Sequence, residues 1–201
     1  MGSNILSLAG ADAASRFLGF FAAAYLARTV GPEGMGLLAA GMGILIWGTV
    51  LAEAGLPTLG IRTVAISNTA PMNLVHRFFT VRLVISLGVF ILFATVLSFT
   101  LDSLPLRNII LIYLLALLPS ALVLEWVFQG LRKMTILATG RIVAAGSYLL
   151  WVLMFVRGES SIIWIPVGWV ASVVAQSIYL WKRYGGVNKI EAINVPPALN
   201  L

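Results

Sequence analysis

The sequence predicts an all-α integral membrane protein of about six transmembrane helices, on three observations. Hydrophobic residues make up 60% of the 201-residue chain and charged residues only 10%, with a mean hydropathy of +1.01. A soluble domain carries about a quarter charged residues, so too little polar surface exists here to cover one. The apolar residues fall in continuous runs near the ~20 residues that cross a bilayer, whereas a transmembrane barrel needs alternating strands of about 10. The third observation is the placement of Lys and Arg along those runs.

The first run spans about Asn4 to Ala27 and is closed by the breaker pair Gly31-Pro32. Ala22-Ala23-Ala24 after Arg16 imitates a signal-peptide cleavage site, but the stretch before it (Ile5-Leu6-Ser7-Leu8) is apolar rather than basic; no cleaved leader is expected. The second run spans about Met35 to Leu59 and leads into the polar connection Ser67-Asn68-Thr69-Ala70-Pro71. The third spans about Val81 to Leu101, ending at Asp102 and Pro105. The fourth, about Asn108 to Leu131, contains Pro119, which should kink it. The fifth and sixth span about Ile136 to Val156 and Ser161 to Trp181. Residues 1–184 therefore read as one six-helix transmembrane lobe and 185–201 as a polar tail, with Pro196-Pro197, expected to be disordered.

With the N-terminus in the cytoplasm, nine cations lie at cytoplasmic ends and loops: Arg62, Arg77, Arg82, Arg132, Lys133, Arg141, Lys182, Arg183 and Lys189. Three lie opposite (Arg28, Arg107 and Arg157), and Arg16 is inside the first run. This is the positive-inside bias, and it places both termini in the cytoplasm. It also accounts for the net charge of +6 without invoking nucleic acid. Trp126, Trp151, Trp164, Trp169 and Trp181 fall mostly near helix ends and read as interfacial anchors.

Several function classes drop out. The chain has no cysteine and one histidine, His76, in a loop. No thiolate site, disulfide, metal site or Ser/His/Asp set can be assembled, no phosphate-cradling glycine loop with its lysine is present, and no cofactor is implied. The chain does not read as an enzyme, and no residue is assigned a catalytic role.

The charged residues inside the runs carry the candidate function. Asp12 and Arg16 are four apart, so they share a helix face and can pair; Arg16 lies ~18 Å along from Asn4, within the hydrocarbon layer. Charges at that depth face a partner or a watery cavity, and Asn4, Ser7, Ser15 and Gly19 fall on or near the same face. The stripe reads as turned towards the bundle, either as a structural ion pair or as a cationic contact for an anionic substrate group. Ala11, Ser15, Gly19, Ala23 and Ala27 form a small-residue strip that lets another backbone approach. Gly34, Gly41, Gly48 and Gly55 repeat every seven residues and form one groove. Glu53 lies near the cytoplasmic end of the second run, and Glu125, Gln129 and Arg132 fall on one face of the fourth. These groups are either a gate that opens by exchanging ion pairs or ordinary charges snorkelling to water.

Three segments then carry a resemblance. The first run with Asn4 and Arg16, followed by Leu26-Ala27-Arg28-Thr29-Val30-Gly31-Pro32-Glu33-Gly34-Met35-Gly36, is similar to the first hairpin of the polysaccharide flippase family, in the multidrug/oligosaccharidyl-lipid/polysaccharide exporter superfamily. Glu53-Ala54-Gly55-Leu56-Pro57 resembles its acidic-x-Gly-Leu segment, and Glu125 to Met134 its helix-four signature. The resemblance covers about residues 1–184 and implies the N-terminal lobe of a two-lobe transporter that flips lipid-linked oligosaccharide across the bacterial inner membrane. It implies membrane lipid, a polyprenyl-pyrophosphate-linked sugar and a second lobe or another chain as partners. Substrate contacts are expected from Asp12, Arg16, Arg28, Glu53, Glu125 and Gln129. The alternatives are a drug/cation antiporter of the same superfamily, whose cavity should be dominated by buried acids, and a truncated remnant that transports nothing.

Overall fold

A computed structural model describes the backbone of residues 2–194, and the side chains of residue 10 and of 12–186 other than 159. The helices run in the order α1 (Gly2–Glu53), α2 (Leu56–Ser67), α3 (Met72–Thr100), α4 (Leu104–Leu115), α5 (Leu117–Ala121), α6 (Glu125–Gly130), α7 (Met134–Phe155) and α8 (Trp164–Asn194), with a short 3-10 turn at Glu159–Ser161. The described residues contain no strand. Asn4, Ser7, Ala11 and Lys189 lie outside the described side chains, and 195–201 outside the described residues. α8 continues past 184 to Asn194.

Five stretches are long and apolar enough to cross a membrane: Asp12–Glu53, Met72–Thr100, Leu104–Ala121, Met134–Phe155 and Trp164–Gly186. The first has 42 residues, which as a straight helix would reach ~63 Å, twice the hydrocarbon thickness. It is not straight. Gly31 stands at φ 68° and ψ −179°, a backbone region open to glycine almost alone. Pro32 follows, its ring excluding helical backbone at the residue before it.

Packing shows that the chain reverses there. Asp12 approaches Arg141 while Tyr25 Oη donates to the Val156 carbonyl at 2.7 Å, so the first arm of α1 (2–30) runs parallel to α7. Gly41 lies against Tyr113 and Gly48 against Leu117, so the second arm (32–53) runs parallel to α4 and α5. Ser177 and Trp181 bond the carbonyls of Pro119 and Leu122, making α5 parallel to α8. Gly140 meets Leu180 and Gly168 meets Trp151, making α7 antiparallel to α8. The two arms of α1 are therefore antiparallel, the five stretches make six passes, and the described N- and C-terminal ends share one end of the bundle.

The seven-residue glycine repeat is a groove for three of its four members. A Cβ on Gly41 would stand 2.7 Å from the Tyr113 ring, one on Gly48 3.2 Å from Leu114, and one on Gly34 3.3 Å from Ile162. Gly55 does a different job. With Ala54 at φ 45° and Gly55 at φ 76°, it ends the second span, and the chain restarts as α2.

The fourth span is kinked around Pro119, as expected, and divides into α4, α5 and α6. Backbone freed by such breaks must find other partners in apolar surroundings. Ser177 Oγ donates to the Pro119 carbonyl (3.2 Å) and Trp181 Nε1 to that of Leu122 (2.9 Å). Arg82 donates to the carbonyls of Ser120 (3.3 Å) and Val123 (3.4 Å).

The breaks divide the apolar interior in two. One core, including Leu45, Ile109, Leu114, Val152 and Ile165, fills the body of the bundle. The other, including Val64, Val75, Trp126, Phe128 and Leu180, joins α2 and α6 to the start of α3 and to α8. Trp126 is thus not an interfacial anchor: it is buried beneath Gly60 and stacks on Phe78 at 4.9 Å. Trp164, by contrast, remains exposed.

Gly31→Ala is expected to destabilise the protein by about 1–3 kcal/mol, since alanine strongly disfavours that backbone conformation. Gly36→Ala, where a Cβ meets nothing within 4 Å, is expected to be neutral or to gain up to about 1 kcal/mol of helix propensity. Denaturation of the two variants in detergent, measured side by side, checks both. Gly41→Ala should lower the midpoint because Tyr113 must shift, while Gly43→Ala, in open space, should not.

Candidate functional site

A cavity of about 550 Å³ opens between the two arms of α1, α4, α7 and α8. The first arm contributes Ser15, Gly19, Ala23 and Leu26, steps of four, four and three residues that keep one helix face towards the space. The small-residue strip therefore lines an opening rather than admitting a neighbouring helix; a Cβ on Gly19 would meet nothing within 4 Å. Met35, Leu38, Ala39 and Met42 face it from the second arm, and Ala144, Ala145 and Tyr148 from α7. These walls are mainly apolar.

The charged part of the lining is gathered at one end, where Glu125 of α6, Arg141 of α7 and Gln176 of α8 meet. Arg141 Nη2 donates to Glu125 Oε2 at 3.1 Å. Gln176 Nε2 donates to the other oxygen, Oε1, at 2.6 Å. Arg141 Nη1 also lies 3.9 Å from Asp12 Oδ1, and Arg16 Nε donates to Asp12 Oδ2 at 2.9 Å. The result is a chain, Arg16–Asp12–Arg141–Glu125–Gln176, that crosses four elements and alternates in sign. Each carboxylate is matched by a guanidinium, so the chain is neutral as a whole.

Three of the six expected contacts, Asp12, Arg16 and Glu125, belong to this network. Arg16 is not turned into the lobe, however. Its side chain is 80% exposed, because a residue one position from Ser15 points ~100° away from the face that lines the cavity. Arg28 is exposed near the Gly31 reversal, ~18 Å along the arm from Arg16. Glu53 joins a different cation, Arg82, at 3.8 Å. Gln129 stands one turn after Glu125 and is half-buried. The expected stripe from Glu125 to Arg132 does not form: α6 ends at Gly130 and Arg132 takes a left-handed φ of 56°, leaving the helix face.

Arg141, Gln176 and Arg82 were assigned no binding role in the sequence. Arg141 and Arg82 were read only as markers of orientation, although Arg141 lies within the fifth apolar run and meets the same criterion that singled out Arg16. Gln176, with Ser172 and Ser177 in the middle of the sixth run, was the other available signal. Glu125 was itself a candidate, but nothing in the sequence joined the two.

Fold and site together define a multi-pass helical membrane protein with a half-open, apolar-walled cavity and a charged end. A family model described as polysaccharide biosynthesis protein matches residues 1–186. The chain belongs to that family, as the hairpin, Glu53–Pro57 and Glu125–Met134 segments indicated. No curated protein and no solved structure matched the chain.

A double-mutant cycle on Glu125 and Arg141 is expected to give a coupling of about 0.5–1 kcal/mol in detergent, since the pair is only partly shielded. The same cycle on Asp12 and Arg16, a more exposed pair, is expected to give about 0.5 kcal/mol or less.

Proposed function

We propose that this chain forms the N-terminal six-helix lobe of a flippase that moves lipid-linked oligosaccharide across the bacterial inner membrane for surface polysaccharide biosynthesis. The observation that carries the reading is Arg141 in the lining of the cavity, held by Glu125 and approached by Asp12, which in turn pairs with the outward-facing Arg16. A pyrophosphate headgroup is too polar to cross hydrocarbon unaided. An arriving phosphate competes with Asp12 and Glu125 for the guanidinium of Arg141, whose fork geometry suits a phosphate as well as a carboxylate. Exchange of partners binds the anion without first exposing a bare cation.

Both termini lie in the cytoplasm in this reading, so the charged end of the cavity is the cytoplasmic end. Arg28 then stands towards the outer end, where it receives the same headgroup after crossing. A second lobe, supplied by further chain or by another polypeptide, forms the opposite wall, and the lobes rock about the site. The lipid tail stays in the bilayer between them. No bond is made or broken, so the protein is not an enzyme and needs no cofactor. A drug/cation antiporter is less well supported, because both cavity-end acids are already matched by arginines. A non-transporting remnant predicts that none of these charges matters to export.

Arg16→Ala and Arg141→Ala, introduced at the native locus so that any second lobe is present, are each expected to lower glycan export about tenfold, the effect of losing one charge-assisted contact. Surface polysaccharide and cationic-dye efflux are measured in the same cells. A fall in dye efflux with glycan export intact would establish the antiporter instead. No change in either would favour the remnant.

A further inference from the structure

Arg82, near the start of α3, sits where the two broken spans meet. Its side chain is 7% exposed, and it reaches three groups. Nη1 donates to the Val123 carbonyl at 3.4 Å and Nη2 to that of Ser120 at 3.3 Å. Nη2 also lies 3.8 Å from Glu53 Oε1. Ser120 lies in α5 and Val123 within the break between α5 and α6, and Glu53 is the last residue before the break at Ala54 and Gly55. One guanidinium therefore touches both interruptions.

The pieces beyond the breaks are themselves joined. Gly60 of α2 lies directly under the Trp126 ring of α6, and Gly130 of α6 lies against Val64 and the Ile61 carbonyl of α2. Their shared core is separate from the core of the bundle body. Glu125 is the first residue of α6, two positions after the carbonyl that Arg82 holds. The backbone fixed by Arg82 is thus the backbone that delivers Glu125 to Arg141 and Gln176.

We propose that Arg82 is a positioning residue: it clamps the interruptions of the second and fourth spans together and thereby sets Glu125 at the charged end of the cavity. Arginine suits the task because its donors diverge in a rigid plane. A lysine ammonium is a single point and cannot match that spread. Releasing the clamp frees α2 and α6 together, as one body. The clamp does not depend on what the cavity carries; its effect on export rests on the flippase reading.

Hydrogen exchange of the full chain in lipid nanodiscs tests this with Arg82→Gln, Arg82→Lys and Glu53→Gln. Arg82→Gln is expected to raise exchange about tenfold at amides 123–130 and 55–60, the effect of losing charge-assisted hydrogen bonds on local opening, and to leave α7 unchanged. Glu53→Gln should raise exchange at 55–60 only. Arg82→Lys should fall between wild type and Arg82→Gln, and it carries the test if the glutamine variant does not fold. Unchanged exchange at 123–130, or an equal rise in α7, overturns the clamp. In cells, Arg82→Lys should raise the KM for glycan export more than it lowers kcat. The expected exchange pattern with normal export would uphold the clamp and sink the flippase reading.

Discussion

Everything at the charged end of the cavity depends on how the broken fourth span keeps its carbonyl groups bonded. A helix interrupted within apolar surroundings has no water to take over its lost bonds. Here Ser177, Trp181 and Arg82 reach in from α8 and α3 to hold the carbonyls of Pro119, Ser120, Leu122 and Val123. These bonds make the break a fixed turn. They also set the direction in which α6 begins, and so where the Glu125 carboxylate lies. Without them the Glu125 carboxylate would lose its fixed place beside Arg141 and Gln176.

The network beyond that turn is balanced rather than cationic. Two guanidiniums and two carboxylates alternate, and Gln176 takes the remaining oxygen of Glu125. Isolated charges at such depth are costly, whereas matched ones are tolerated. The contacts are uneven: Asp12–Arg141 is long at 3.9 Å, whereas Arg141–Glu125 is 3.1 Å.

Much of the fold was legible in the sequence because a bilayer allows few solutions. Runs of about 20 apolar residues had to be spans, and Gly31-Pro32 and Pro119 marked where helices could not continue. Glycines at Gly34, Gly41 and Gly48 revealed a groove because seven residues return to nearly the same azimuth. What stayed hidden was partnership. Periodicity gives the face a residue occupies, not the element that meets it, so the position of Arg82 and Arg141 inside apolar runs marked them as costly without naming the groups that hold them. Arg132 was misplaced because nothing local announces that α6 stops at Gly130. Trp126 was misread because its burial depends on Gly60, sixty-six positions earlier in the chain.

The Asp12–Arg16 pair also bears on the order of synthesis. Asp12 finds its long-range partner, Arg141, only on α7, a helix made after three further spans have left the ribosome. During that interval the first arm must enter lipid carrying two charges. The i,i+4 contact at 2.9 Å lets each neutralise the other within a single helix, before any tertiary neighbour exists. The pair is thus complete within the first arm alone, and Asp12 takes its second partner only when α7 is in place.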